Sequence, residues 1–346
     1  MLTTLFTLLL AAFPSTDPKQ FDIVATTAMV GDIAKQVVGD RGTIHGLMGE
    51  GVDPHLYKPT AADAKAILNS DIVFYSGLML EGRMTDTFMK AARIGKTVYQ
   101  VTEPIDETFL LEPPEMEGHW DPHVWMDVSS WSYAVDAVAS AMCEQDQEHC
   151  AEYNKRAALY KKELATLHAY IEKSIASIPE TSRVLITAHD AFNYFGRAYG
   201  IEVIGIQGLS TESEAGIDDV NKLVDLLVDR KIQAVFVESS VSDRNVNALI
   251  EGAASRGHEV IIGGRLFSDA MGEHGTYEGT YIGMLDHNAT TITRALGGDA
   301  PAKGMQDKLS SKEEHDSESL RIGDNSSSSL NYPQQNSTRF SKVTLG

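Results

Sequence analysis

Apolar and polar positions along this chain fall into two alternating periods. Residues 21–27, 43–48, 72–77 and 97–101 are short runs of β-branched and aromatic residues bounded by turn formers, and they read as strands. Between them, apolar residues recur every three or four positions over 29–38, 61–69 and 84–93, which predicts helices. The second half repeats the scheme, with strands over 184–188, 202–206, 234–238 and 259–262 and helices over 218–230 and 245–256. Strands separated by helices imply βαβ units and parallel sheets. The unbroken apolar stretch Ala-Val-Phe-Val at 234–237 suits a strand covered on both faces.

Between the halves lies one longer pattern. Tyr153, Ala157, Tyr160, Leu164, Leu167, Ile171, Ile175 and Ile178 form a single apolar stripe, with Lys161, Lys162 and Glu163 on the wet side. Pro179 ends the run, because the residue before a proline is driven out of helical geometry. A stripe of this kind is core packing. At about 1.5 Å per residue the helix is also long enough, roughly 40 Å, to run as a spine across two lobes. The 346 residues suffice for two domains with separate cores. The expected fold is therefore α/β: parallel sheets flanked by helices in two lobes, joined by one long linking helix. The boundaries read as an N-terminal segment 1–19, a first lobe 20–150, the linking helix 151–179, a second lobe 180–298 and a disordered tail 299–346. That tail is rich in Ser, Asn and charge and lacks apolar periodicity; His315 sits in it among acidic residues.

Residues 1–14 form an apolar run too short to span a bilayer but suited to the core of a secretory signal. The usual basic start is missing, since Lys19 is the first cationic residue. No cysteine follows this run closely, so an exported protein without a lipid anchor is expected, in the periplasm. In that oxidising setting Cys143 and Cys150, at the seam between helical stretches 130–142 and 151–178, are expected to close a small loop. Their spacing fits no ordinary zinc motif.

Charge sharpens the picture. With 29 basic and 49 acidic residues the net charge is -20, which repels nucleic-acid phosphates and anionic lipid and attracts cations. Most of the eleven histidines stand alone, among them His45, His149, His168, His258, His274 and His287. Four acidic or imidazole side chains do not. His55 lies in Gly-Val-Asp-Pro-His-Leu-Tyr-Lys-Pro at 51–59, where Pro54 and Pro59 stiffen the loop. His123 lies in a second Asp-Pro-His, within His-Trp-Asp-Pro-His-Val-Trp-Met-Asp at 119–127. His189 follows the strand 184–188 directly, at the carboxyl end where open α/β sheets place ligands. Asp269 lies in Leu-Phe-Ser-Asp-Ala-Met-Gly at 266–272, just beyond the strand 259–262. Three imidazoles and a carboxylate make a complete shell for a borderline divalent ion.

These three motifs, together with Ala-His-Asp-Ala-Phe-Asn-Tyr-Phe-Gly at 188–196, make the chain resemble the metal-specific solute-binding proteins of zinc and manganese ABC importers, known as cluster A-I. The resemblance runs from about residue 21 to 298. It implies two α/β lobes on one long helix, with a metal in the cleft held by His55 and His123 from the first lobe and His189 and Asp269 from the second. It further implies a monomeric carrier that passes its divalent ion to an ABC permease. Some zinc-dedicated relatives carry a long His-rich loop before the second ligand, where this chain has only Glu-Met-Glu-Gly-His at 115–119. Three nitrogen donors favour zinc by intrinsic affinity, and a bidentate Asp269 suits manganese, so the metal stays open between the two. Glu212 and Glu238 are candidates for support behind the imidazoles, since ligating imidazoles usually donate their other N–H to a carboxylate, and His119 is a candidate for assisting metal loading. A metallohydrolase is the alternative, with three ligands and a reactive water beside Asp190 or Glu238, although no His-Glu-x-x-His is present. An adhesion module is a third reading, suggested by relatives described as adhesins. Binding is expected to fail below about pH 6, because imidazole ligates only when neutral.

Overall fold

The computed structural model describes residues 20–113 and 116–310, of which those through Leu309 form one compact unit. The apolar N-terminal run and the stretch containing His315 lie outside the described residues.

The first half builds one parallel sheet in the order β2-β1-β3-β4, from β1 (Phe21–Ala25), β2 (Gly42–Gly46), β3 (Ile72–Tyr75) and β4 (Thr97–Gln100). Its crossovers are α1 (Ala28–Val38), α2 (Ala61–Asn69) and α3 (Thr85–Arg93). Local chemistry sets their starts. Thr27 caps α1 by accepting from the Val30 N–H, and Thr60 and Asp63 cap α2 reciprocally. Next come α4 (Val128–Gln145), capped by the Asp127 carboxylate on the Ser129 and Ser130 N–H groups, and α5 (Cys150–Ala176). A disulfide between Cys143 and Cys150 ties these two helices together at their turn.

The second half supplies β5 (Val184–His189), α6 (Asn193–Tyr199), β6 (Glu202–Gln207), α7 (Ile217–Arg230), β7 (Ala234–Glu238), α8 (Arg244–Ser255), β8 (Ile261–Leu266) and α9 (Tyr281–Ala295). β5 pairs with β6 and β7 with β8, all parallel, and β5 lies beside β7.

The 27 residues of α5 make a rod of about 40 Å. Its apolar stripe is buried as the periodicity predicts, and it packs against α1, α4, α6 and α9. One continuous buried cluster consequently runs from Ile23 in β1 through Trp131 in α4 and Leu167 in α5 to Phe195 in α6 and Leu285 in α9. Each such side chain contributes about 1.5–3 kcal/mol by leaving water.

Three differences from the sequence reading have physical causes. α9 was not foreseen, because its buried face includes Asp286, Asn288, Thr290 and Thr293, which break the amphipathic pattern. β8 starts later than residues 259–262 suggest and carries Gly263 and Gly264; a Cβ on Gly263 would sit 2.8 Å from the Phe236 ring, so glycine is what lets the strands close. Residues 299–309, read as tail, pack as ordered turns. Ala300 and Leu309 are buried, and the Met305 N–H donates to Asp286 at 2.9 Å.

Candidate metal centre

Each of the four singled-out side chains is placed by a different element end. His55 stands in the loop between β2 and α2, where the Asp53 Oδ1 accepts from the His55 N–H at 2.8 Å and the Leu56 N–H at 3.4 Å. His123 stands before α4 in the same kind of turn: Asp121 Oδ1 accepts from the His123 N–H at 2.9 Å. The repeated Asp-Pro-His is thus one structural device used twice, an aspartate bonding the backbone two residues on while proline fixes the residue between. His189 is the last residue of β5, and its N–H donates to Glu238, the last residue of β7, at 2.8 Å. Asp269 follows β8, in a loop pinned by Asn288 of α9. The Asn288 amide accepts from the Phe267 N–H at 2.9 Å and donates to the Phe267 carbonyl at 2.7 Å.

These residues converge. His55, His123, His189 and Asp269 are all buried, with ligand atoms within 4.8 Å of one another. His55 Nε2 lies 3.2 Å from His123 Nε2 and 3.6 Å from Asp269 Oδ2. His123 Nε2 is 3.4 Å from Asp269 Oδ1, and His189 Nε2 is 3.2 Å from Asp269 Oδ2. Bonds of about 2.0 Å to a tetrahedral ion put the donors about 3.3 Å apart, so these four separations are compatible with a coordination shell. Both carboxylate oxygens face imidazoles, an orientation open to one-oxygen or two-oxygen ligation.

Polar satisfaction points to the same spot. Among the described residues, seven buried side-chain N or O atoms have no hydrogen-bond partner, and three of them are His189 Nε2, Asp269 Oδ1 and Asp269 Oδ2. At 3.2 Å the first and last are close but not aligned to bond. Burying such atoms unpaired costs about 1–3 kcal/mol each, more for a charge, which a cation between them would offset.

The imidazoles are also held from behind. Asp121 Oδ1 lies 2.7 Å from His123 Nδ1 and Glu238 Oε2 lies 2.5 Å from His189 Nδ1, which turns each Nε2 toward the centre. Burial drives the His55 ring down to about 4, so it is neutral at ordinary pH. Burial also opposes charge on His123, yet Asp121 and Asp269 outweigh it and raise that ring to about 9. For His189 burial again opposes, and Glu238 and Asp269 hold it well above the usual imidazole range. Against its own burial, Asp269 is kept well below the ordinary carboxylate range by His189 and His123. The surrounding carboxylates thus favour the charged form of both His123 and His189.

Of the supporting candidates, Glu238 takes its place behind His189, whereas Glu212 points away and accepts from Arg83 at 2.7 Å. His119 is exposed and outside the cluster. The sequence reading missed Asp121, although its position two residues before His123 was the available signal. The solitary histidines have ordinary partners: His149 with Asp146, His168 with Tyr199, and His258 with the Ile232 carbonyl.

Known proteins resemble this chain in sequence and in fold. Residues 23–295 match the family model for the periplasmic zinc-uptake complex component A, ZnuA. The manganese-binding lipoprotein MntA of Bacillus subtilis is 49% identical over 279 residues, covering 80% of this chain and 90% of its own length. The structure of the periplasmic zinc-binding protein TroA from Treponema pallidum superposes with a TM-score of 0.77 at 45% identity, over 80% of this chain and 99% of that one. Fe(III)-bound YtgA from Chlamydia trachomatis superposes with a TM-score of 0.72 at 26% identity, over 81% and 99% of the two chains. The chain belongs to the ZnuA family of metal-binding solute-binding proteins that serve ABC importers.

Proposed function

We propose that this protein binds one divalent transition metal ion, zinc or manganese, through His55, His123, His189 and Asp269 outside the cytoplasmic membrane, and delivers it as a monomer to an ABC permease. The observation that carries this reading is the buried convergence of three imidazole Nε2 atoms on a carboxylate whose oxygens have no other partner. Four protein donors give a tetrahedral ion a closed shell, which suits retention. A hydrolytic centre needs an open position for water instead, so the metallohydrolase alternative gains no support from this arrangement. No described helix is long and apolar enough to cross a membrane. In domain terms the reading assigns 20–150 and 180–298 to two lobes around the helix 151–179.

The relatives named above are described with manganese, zinc and Fe(III), so the cargo of this chain has to be measured. Titration of the metal-stripped protein with zinc and with manganese, repeated on Asp269→Ala, is the direct test. One tight site per chain, lost in the variant, is expected, and the two affinities rank the ions. Absence of a tight site for either ion, or an unchanged site in Asp269→Ala, refutes the reading.

A further inference from the structure

The two sides of the candidate site are fastened very differently. Behind His123, His189 and Asp269 the halves are joined by buried hydrogen bonds. Trp125 Nε1 donates to the Ser268 carbonyl at 3.0 Å, Tyr281 Oη to the Trp125 carbonyl at 2.7 Å, and Tyr194 Oη to the Asp121 carbonyl at 2.9 Å. Asn193 reaches Asp121 from the same side at 3.3 Å. These bonds lock the loops of His123 and Asp269 onto a common floor.

His55 faces the other side. Of the four converging residues it alone borders a cavity of about 330 Å³, whose described lining also includes Met79, Arg83, Leu209 and Glu212. Closure there depends on the segment 209–214, which follows β6 and has neither helix nor strand conformation. Gln207 holds this segment on the second half by donating to the Thr211 carbonyl at 3.0 Å and the Ser213 carbonyl at 2.6 Å. Two of its side chains cross to the first half. The Thr211 hydroxyl donates a short hydrogen bond to Asp53 Oδ2, the same aspartate whose other oxygen sets the His55 turn. Glu212 receives Arg83 Nε at 2.9 Å and Nη2 at 2.7 Å, while Arg83 Nη1 reaches the Leu56 carbonyl at 3.4 Å.

We propose that the 209–214 segment is a latch over His55, in which Thr211 and Glu212 are positioning residues that set how long the bound metal stays. This rests on the metal-carrier reading above. The ion leaves on the His55 side, and release begins when Thr211 lets go of Asp53 and Glu212 lets go of Arg83, freeing the His55 turn to swing out. His123, His189 and Asp269 stay on the floor throughout. An exposed ion pair is a weak fastening and the half-buried Thr211–Asp53 bond a stronger one, so the two contribute unequally.

The test measures zinc release from the loaded full-length chain into excess chromophoric chelator by stopped flow, with the visible spectrum of the cobalt(II)-loaded protein as a control on coordination. Glu212→Gln is expected to speed release about threefold and Thr211→Val about tenfold, with the cobalt spectrum unchanged. The charge exchange Arg83→Glu with Glu212→Arg is expected to restore slow release relative to either single change, which a merely structural contribution would not do. Release rates within twofold of wild type, or no rescue in the exchange, overturn the latch. An altered cobalt spectrum does so as well, since it would place these residues in the shaping of the coordination shell. A wild-type chain that holds no zinc overturns both the latch and the carrier reading, whereas normal zinc binding with unaltered release sinks the latch alone.

Discussion

Metal binding by this centre should exchange two protons for one ion, and pH is the perturbation that exposes it. His55 is driven to about 4 by burial and enters the reaction neutral, whereas His123 stands at about 9 and His189 well above its ordinary value. Near neutral pH both raised rings are protonated in the metal-free protein, and both must lose their Nε2 proton to ligate. Apparent affinity should therefore climb by about 100-fold per pH unit while two protons are displaced, and the climb should slacken as pH passes about 9, where His123 no longer carries its proton. This moves the window upward from the expectation based on an ordinary imidazole, which put the loss of binding below about pH 6. Stability of the metal-free form should move the opposite way. A ring whose folded value is raised stabilises the fold fully below 6.5, and that contribution is lost as pH rises through about 9; for His123 it amounts to about 3 kcal/mol. Calorimetric titration with zinc at pH 7, in buffers of different ionisation enthalpy, counts the protons directly. Close to two per ion is expected, together with a melting temperature that falls with pH for the stripped protein and not for the loaded one. Release of fewer than about half a proton per ion, or an affinity flat between about pH 6.5 and 8.5, would show that the carboxylates do not hold the imidazoles charged and would refute the electrostatic argument.

Three further outcomes follow from named contacts. Asp121→Asn and Glu238→Gln, which weaken the carboxylate support behind His123 and His189, should each raise the zinc dissociation constant about 10- to 100-fold with the fold intact; an unchanged constant would leave these carboxylates without an orienting role. Replacing Cys143 and Cys150 together by serine opens a loop closed over a separation of 7 residues and should cost about 2–3 kcal/mol in denaturant unfolding while leaving metal affinity unaltered, since the bond lies at the α4–α5 turn. Leu167→Ala, at a fully buried position midway along α5, should cost about 2–5 kcal/mol; a loss under about 1 kcal/mol would mean the helix is not the shared core of both halves.

What the chain discloses before folding is set by how local each feature is. The parallel α/β organisation and the long helix are written in periodicity, and so Tyr153, Tyr160, Leu164, Leu167 and Ile171 were legible as one buried face. The four metal-site candidates were legible because each sits in a short motif whose geometry is local. Asp-Pro-His is one such motif, and His189 at the end of an apolar strand is another. Their support was less so. Glu238 and Glu212 look alike as carboxylates near strand ends, yet only Glu238 ends a strand beside β5, so one backs His189 and the other meets Arg83, 129 positions away in sequence. No local pattern encodes that choice. The same holds for α9, whose buried Asp286 and Asn288 look like surface residues until the turns at 304–306 and the loop at Phe267 supply their partners. Polar residues that work in the interior carry the least sequence signal because their burial is justified only by long-range hydrogen bonds. In this protein Glu238 and Asn288, which hold His189 and the loop before Asp269, are residues of this kind, which is why the candidate ligands stood out in the sequence while the contacts that position them required the structure.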